Sequence, residues 1–441
     1  MASGPKAAIA PPVGGPVGQV IVWVDQRFPL MSIWKGHLAE YYAPKNFNFW
    51  YYFGSLAMLV LVMQIVTGIF LTMNYKPDAK LAFASVEYIM RDVSWGWLIR
   101  YMHSTGASMF FLVVYLHMMR GLLYGSYRKP RELVWIFGCM IYLALMAEAF
   151  FGYLLPWGQM SYWGAQVIIN LFAAIPFIGP DLAVWIRGDY SIGDATLNRF
   201  FAFHVVAIPL VLLGLVAAHI MALHEVGSNN PDGIDLGKHV DPKTGIPKDA
   251  IPFHPYYTVK DIVGVVVFLA VFSAIVFFAP EMGGYFLEAP NFIQADPLQT
   301  PAHIAPVWYF TPFYAMLRAV PSFFGSAFWG VMVMGAATMI LFVLPWLDRG
   351  KVKSVRYRGP IYKRFLTGLV ISFVILGYLG VVPTTVWGQI PNAVPMVGGA
   401  DTATVVARIL TAVYFAFFLL MPWYTKKDIA KELPEPERVT H

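Results

Sequence analysis

Long apolar segments recur along the whole chain and alternate with polar stretches. Eight of them are long enough to cross a bilayer, because a transmembrane helix needs about 20 mostly apolar residues. We number them as the first to eighth spans, at 50–75, 96–124, 133–155, 199–223, 258–279, 324–346, 364–384 and 403–423. The pattern predicts an all-α integral membrane protein with eight transmembrane helices.

The composition agrees with this prediction. Of the 441 residues, 58% are hydrophobic and only 13% are charged, whereas soluble domains carry about 25% charged residues. The net charge of +6 does not indicate a nucleic-acid partner, since the basic residues fall mainly in one set of loops. The single cysteine, Cys139, lies in an apolar run, so no disulfide can form within the chain.

Basic residues concentrate in the loops after the second, fourth and sixth spans and in the C-terminal tail. The positive-inside rule therefore predicts that these loops and both termini are cytoplasmic. We divide the chain into a flexible tail (1–24), an N-terminal domain with the first four spans (25–232), a polar cytoplasmic loop (233–252), a C-terminal domain with the last four spans (253–425) and a cytoplasmic tail (426–441). Residues 25–45 favour an amphipathic helix on the membrane surface.

Four histidines occupy two of the spans, His103 and His117 in the second and His204 and His219 in the fourth. Histidine is rare in apolar helices, because a polar ring in lipid is unfavourable unless it is bound. An interval of 14 residues separates two side chains by ~21 Å but leaves them only ~40° apart around the helix. Two such helices would form an outer and an inner pair of imidazoles, which suits two haems held by side chains alone.

Other residues stand where two haems would need them. Arg100 and Arg120 lie three residues from a histidine and could pair with propionates, although arginines at span ends also simply reach the membrane surface. Gly54 and Gly68, and Gly138 and Gly152, repeat the 14-residue interval in the first and third spans. Glycine permits close approach of a flat ring, and small-residue helix packing is the plain alternative.

Several motifs resemble cytochrome b of the cytochrome bc1 complex over about residues 25–425. They are RYMH (100–103), HMMRG (117–121), GYLLPWGQMSYWGA (152–165), RFFAFH (199–204) and HEVGSNNP (224–231). The resemblance implies a dihaem four-helix bundle followed by C-terminal helices, in a bacterial inner membrane. It also implies quinol:cytochrome c oxidoreduction by a Q cycle that translocates protons.

The cofactors that the resemblance implies are an outer, low-potential haem bL at His103 and His204, an inner, high-potential haem bH at His117 and His219, and ubiquinone or ubiquinol. The implied partners are cytochrome c1, a Rieske iron–sulfur protein, membrane lipid and a second copy of the complex. Quinol would be oxidised at an outer Qo site, and quinone would be reduced at an inner Qi site.

The outer site can be argued partly from the residues. Gly164 and Ala165 are small residues in an aromatic external loop and leave room for a quinone ring. By family analogy, further lining residues would be Phe150, Tyr153, Pro306, Tyr309 and Tyr314.

The chain departs from the family at this site. The family commonly has Pro-Glu-Trp-Tyr, whereas this chain has Val307 at the glutamate's position. We hypothesise that Glu148, near the outer end of the third span, takes the quinol's proton instead, because an ionisable group there is unfavourable without a function. A structural glutamate is the alternative, and His303 and Asp296 are weaker candidates.

The inner site needs a donor of protons to reduced quinone. His224, Lys260 and Asp261 lie at the inner ends of the fourth and fifth spans and could hydrogen-bond quinone carbonyls and relay protons. For Lys260 the alternative is a plain anchor at the membrane surface. Ser55 and Ser228 are lesser candidates by family position.

The interval from His204 to His219 is 15 residues, one more than in the second span. A regular helix would rotate the two rings ~60° past alignment. We therefore predict a π-bulge or a proline kink between His204 and Pro209. Two other functions remain open at this point, a haem b membrane anchor of a dehydrogenase and a transporter that uses the histidines as a proton relay.

Overall fold

The computed structural model describes residues 15–322, 326–392 and 398–440. Within these residues, eight helices are long and apolar enough to cross a membrane, which confirms the predicted number of spans. In order, the spans are Phe49–Thr72, Gly96–Tyr124, Glu132–Leu154, Asp194–Val226, Tyr256–Phe278, Phe328–Leu347, Pro360–Val381 and Thr402–Leu419.

The α-helices and strands have the following bounds. The helices are α1 Gly15–Arg27, α2 Leu30–Trp34, α3 Tyr52–Thr72, α4 Ala82–Arg91, α5 Gly96–Tyr124, α6 Glu132–Leu154, α7 Gln159–Ala173, α8 Gly179–Arg187, α9 Asp194–Ala202, α10 Ile208–Val226, α11 Tyr256–Phe278, α12 Thr311–Ala319, α13 Phe328–Leu347, α14 Pro360–Val381, α15 Thr402–Leu419 and α16 Met421–Asp428. The strands are β1 Tyr42–Pro44 and β2 Ala250–Pro252.

The N-terminal domain is a bundle of the first four spans. Helix α3 packs along α5, and α6 packs along α10, while α5 approaches the fourth span through the histidines of both. In the C-terminal domain, α14 packs against both α12 and α15. A shared core of aromatic and aliphatic side chains joins the two domains, and α5 contributes Phe111 to it while the C-terminal domain contributes Tyr309.

The fourth span contains the irregularity that the histidine spacing predicts. Between α9 and α10, residues Phe203–Ala207 form a π-helical turn, and the amide of Ile208 donates to the carbonyl of Phe203. Such an i→i+5 bond places one more residue in the turn than an α-helix does. The turn therefore absorbs the additional residue between His204 and His219, and the prediction of a π-bulge is confirmed.

The start of the chain differs from the prediction. Residues 15–24 belong to helix α1 and are not a flexible tail, whereas residues 1–14 lie outside the described residues. The predicted surface helix at 25–45 is broken into the end of α1, the short helix α2, a π-helical turn over Lys35–Ala39 and strand β1. Exposed Trp23 and Phe28 are apolar side chains that suit a membrane surface.

The loop at 233–252 is not merely a solvated connection. Its last residues form β2, which pairs antiparallel with β1, with Tyr42 opposite Pro252. Asp249 in the same loop is buried and binds both Lys45 and Arg438. The loop therefore ties the start of the first span to the C-terminal tail.

The long loops after the third and fifth spans contact each other. The amide of Gln159 donates to the carbonyl of Ile293, and the amide of Ala295 donates to the carbonyl of Trp157. Gly164 and Ala165 lie on helix α7 and not in irregular loop. Backbone pairing of the loops therefore places α7 beside the segment that follows the fifth span.

A buried ion pair closes the loop between the sixth and seventh spans. The guanidinium of Arg358 binds both carboxylate oxygens of Asp348, and both residues are almost inaccessible. The hydroxyl of Tyr127 donates to the same carboxylate over 2.7 Å, and Arg128 lies 3.7 Å from it. This cluster connects the loop after the second span to the loop after the sixth.

Replacement of Asp348 should therefore destabilise the protein strongly. Asp348→Asn leaves the Arg358 charge buried and uncompensated, for which we expect a loss of about 3–5 kcal/mol in unfolding free energy. Thermal unfolding of the purified protein in detergent measures the effect. The control is Glu87→Gln, which removes the exposed pair with Arg91 and should cost less than about 1 kcal/mol. Equal shifts in melting temperature for the two variants would contradict the assignment.

Candidate functional site: two histidine pairs in the helical bundle

The four histidines meet as two pairs across the bundle. The ring centroids of His103 and His204 are 6.1 Å apart, and those of His117 and His219 are 6.3 Å apart. Imidazole nitrogens bind metal ions at about 2 Å, so two rings on opposite sides of one metal have centroids roughly 6 Å apart. Both pairs therefore have the separation that axial ligation of a single iron requires.

Each predicted glycine lies against one histidine ring. A Cβ atom on Gly54 would lie 3.3 Å from Cε1 of His117, and one on Gly68 would lie 3.3 Å from Cε1 of His103. On α6, a Cβ on Gly138 would lie 3.5 Å from His219, and one on Gly152 would overlap the ring of His204. The sequence predicts that the glycines make room for macrocycles, and the structure places them directly beside the imidazoles.

Hydrogen bonds orient the outer pair. The Nδ1 atom of His103 is 2.9 Å from the hydroxyl of Thr67, which itself donates to the carbonyl of Met63. The Nδ1 atom of His204 is 3.0 Å from the main-chain carbonyl of Glu148 and 3.1 Å from its carboxylate. With Nδ1–H donating in each case, Nε2 is left as the metal-binding nitrogen, as in most metal-ligating histidines.

The predicted arginines lie beside the pairs. Arg100 lines the same cavity as His103 and His204. Arg120 donates to the hydroxyl of Ser126 over 3.1 Å and lies over the ring of Tyr51, yet its Nε is buried with no hydrogen-bond partner among the described residues. An acidic group such as a propionate would satisfy that donor. The residues present therefore fit two b-type haems.

A large, mostly apolar cavity surrounds the outer pair. Among the predicted site residues, its wall includes Arg100, His103, Glu148, Tyr153, His204, Tyr309 and the two glycines at 68 and 152. Val307 also lines it and is buried. The outer histidine pair and part of the predicted quinol site thus share one cavity.

Other predicted outer residues lie elsewhere. Phe150 packs against Phe200 at a centroid distance of 5.2 Å, in a second hydrophobic cluster that is separate from the main core. The Tyr314 ring lies beside the Arg318 guanidinium, and Pro306 precedes Val307 without lining the cavity itself. Gly164 contacts the cavity wall indirectly, since a Cβ there would lie 3.6 Å from the ring of Tyr153.

The two weaker candidates for proton transfer have other contacts. The Nε2 atom of His303 is 2.6 Å from the carbonyl of Val381. The carboxylate of Asp296 accepts from the amide of Leu298 in an exposed turn. Neither residue is part of the cavity wall.

Sequence reasoning missed a carboxyl group at this site. The hydroxyl of Tyr153 donates to Oε2 of Glu288 over 2.9 Å, although 135 residues separate the two in the chain. Burial raises the pKa of Glu288 to about 7. A carboxylate within the aromatic loop after the fifth span was the available signal, but the sequence did not indicate its contact with the third span.

The inner candidates form an aromatic-rich group. The ring of Tyr41 lies 4.7 Å from that of His224, and its hydroxyl is 3.0 Å from the hydroxyl of Ser228. Tyr41 was not predicted, because it lies in the segment before the first span. Its ring is also 6.2 Å from that of Phe253, so it connects the end of the fourth span to the start of the fifth.

The remaining inner candidates lie on the first and fifth spans. The hydroxyl of Ser55 donates to the carbonyl of Tyr52 over 2.9 Å and lies close to the carboxyl of Asp261. The ammonium of Lys260 is 5.3 Å from the ring centroid of Tyr257, which suits a cation–π contact. The structure thus brings Ser55 to Asp261 and Ser228 to Tyr41 and His224.

Two family models match the chain. Residues 38–227 match the family described as cytochrome b/b6/petB, and residues 294–415 match the C-terminal family described as cytochrome b (C-terminal)/b6/petD. Together they cover most of both domains.

Curated relatives agree. Cytochrome b of Allochromatium vinosum is 66% identical over 424 residues, which cover 95% of this chain and 97% of that protein. Cytochrome b of Rickettsia bellii is 48% identical over 97% of this chain and 98% of that protein. A longer protein of Bradyrhizobium diazoefficiens, named cytochrome b/c1, is 44% identical over 95% of this chain and 56% of its own length.

A solved structure has the same fold. A chain of a hyperthermophilic respiratory complex III superposes with a TM-score of 0.82 at 37% identity, covering 93% of this chain and all of that one. The chain belongs to the cytochrome b/b6 family, as the cytochrome b subunit of a complex III, a quinol–cytochrome c oxidoreductase.

Proposed function

We propose that this chain oxidises quinol at the outer cavity and reduces quinone at the inner face, and that the two reactions translocate protons across the membrane. The observation that carries the proposal is that the four imidazoles form two pairs. Within each pair, the ring centroids are about 6 Å apart. Two b-type haems held by these pairs, bL outside and bH inside, supply one-electron carriers between the two faces.

The residues of the bundle have defined roles in this proposal. Thr67 and Glu148 orient the outer imidazoles through Nδ1, which fixes Nε2 toward the metal. Arg100 and Arg120 would hold haem propionates at the outer and inner pair. The four glycines leave room for the histidine rings beside α3 and α6.

At the outer site, the cavity is apolar enough to admit a quinone ring. Tyr309 is held rigidly, because its ring stacks on Phe111 at 3.9 Å and its carbonyl accepts from Tyr115 over 2.6 Å. Glu148, Tyr153, Tyr309 and Val307 share the cavity wall. We infer that Gly164 and Ala165, with Phe150, Pro306 and Tyr314, support the surrounding wall of this Qo site.

At the inner site, polar groups from three spans could contact quinone. His224, Lys260 and Asp261 are the proposed hydrogen-bond partners and proton donors, with Ser55 and Ser228 in support. The contacts of Tyr41 with His224 and Ser228 support adding Tyr41 to this Qi site.

The proposed partners are a cytochrome c1, a Rieske iron–sulfur protein and a second copy of the complex, with lipid around the spans. The match to part of a protein named cytochrome b/c1 supports the first of these. We also propose a bacterial inner-membrane location with both termini cytoplasmic, from the distribution of basic residues among the loops.

Haem content should depend on the glycine that contacts His204. In Gly152→Ala the new methyl group would overlap the His204 ring and displace it from its contacts with Glu148. We expect loss of the outer haem, so that the purified chain holds one haem and not two. Visible spectra and pyridine haemochrome assays measure this. The control is Gly214→Ala on α10, where nothing lies within 4 Å of the new Cβ; equal haem loss there would contradict the role of Gly152.

The two quinone sites should be separable by kinetics. Asp261→Asn removes a proton donor from the inner site, for which we expect a loss of about 100-fold in haem reoxidation by quinone. Reduction of haem by quinol through the outer site should stay near wild type in the same preparation. Stopped-flow absorbance of the purified complex, with an inhibitor of either site, measures both rates. Equal losses in both directions would refute two separate sites.

A further inference from the structure

Oxidation of quinol releases two protons, so the outer cavity needs a group that accepts one. The titratable cavity residues include the two histidine ligands, Arg100, Glu148, Tyr153 and Tyr309. Val307, in the same wall, has no polar atom on its side chain. A carboxylate is the strongest candidate, because Arg and Tyr are poor bases at neutral pH.

Glu288 lies directly behind the cavity wall. Its Oε2 accepts a 2.9 Å hydrogen bond from Tyr153, and its neighbours Leu287 and Asn291 line the cavity. The side chain is half-buried, and the next residue, Ala289, is exposed. Glu288 therefore stands between the cavity and the outer aqueous side.

Glu148 is held differently. Its carboxylate is 3.1 Å from Nδ1 of His204. This contact helps to orient the proposed ligand. Glu288 has no comparable contact, and no cation forms an ion pair with it in the described part of the chain. Of the two carboxyl groups, Glu288 is the one free to exchange a proton without disturbing a histidine ligand.

We propose that Glu288 accepts a proton from quinol bound in the outer cavity and releases it to the outer side. This inference rests on the proposed function. In the step, one quinol O–H bond breaks and an O–H bond forms on the Glu288 carboxylate, while the oxygen retains the bonding pair. The second proton and one electron leave to the iron–sulfur partner, and the haems that the histidine pairs would hold would accept the other electron, so that quinone remains.

The surroundings of Glu288 suit this role. Burial raises its pKa to about 7, and the hydrogen bond from Tyr153 opposes this rise. The titratable groups that face it are Tyr153 from α6 and Tyr309 from the turn before α12. An acceptor must be ionised, so quinol oxidation should rise with pH through the pKa of Glu288. A base whose pKa lies near the working pH is the most effective.

The test is the pH profile of quinol:cytochrome c reductase activity in the assembled complex. Glu288→Gln should lower turnover by roughly 100-fold at neutral pH and flatten the rise with pH. Tyr153→Phe removes a donor to the carboxylate, so its profile should shift to higher pH. Unchanged turnover and an unchanged profile in Glu288→Gln would overturn the proposal, as would loss of the pH dependence in Glu148→Gln alone.

Two further variants separate folding from chemistry. Glu281→Gln changes an exposed acid in the same loop and should leave the profile unchanged. Val307→Glu in the Glu288→Gln background places a carboxylate in the cavity wall and should raise turnover at least tenfold; no gain would count against the proposal.

Haem spectra of every variant test the proposed function itself. If the wild-type complex lacked b-type haem or quinol oxidation, the proposed function would fail, whereas failure of Glu288 alone leaves it standing.

Discussion

The energetic constraint behind this fold is the burial of four imidazoles within an apolar, membrane-spanning bundle. A polar ring in that environment is unfavourable unless both of its nitrogens find partners. In the outer pair, Thr67 and Glu148 contact the Nδ1 atoms, and a metal would take Nε2. The helix pairing follows from the same need, because α3 places two glycines beside the histidines of α5, and α6 places two beside those of the fourth span. A side chain at Gly152 would overlap the His204 ring, and one at Gly54 or Gly68 would press closely on a ring of α5.

The π-helical turn shows how strongly this constraint acts on the backbone. The fourth span carries one residue more between its histidines than the second span does. A regular helix would have turned His219 away from His117. The chain instead forms the π turn at Phe203–Ala207, where a weaker hydrogen-bond pattern is tolerated because the rings are brought into register. The irregularity is therefore predictable from the spacing of functional residues, even though no local propensity signals it.

The parts that could be predicted from sequence are those set by the bilayer. Apolar length determines the spans, and the cost of a buried histidine singles out the four histidines that meet as pairs. The missed features depend on contacts between distant segments. The contact of Tyr41 with His224 depends on the pairing of β1 with β2. The contact of Glu288 with Tyr153 depends on the pairing of the loops after the third and fifth spans at Gln159 and Ile293. Helix α1 escaped prediction for a different reason, since its glycines and weak amphipathic pattern resemble a flexible segment.

The positions of the two glutamates near the outer pair suggest a division of labour. A proton on the carboxylate of Glu148 would change the hydrogen bond to His204, so proton transfer there would disturb the ligand at each turnover. Glu288 avoids this coupling, because Tyr153 stands between it and the cavity and its neighbour Ala289 faces solvent. In the proposed scheme, a carboxyl group set behind Tyr153, and without contact to a histidine, would carry the proton while the histidine pairs keep their geometry.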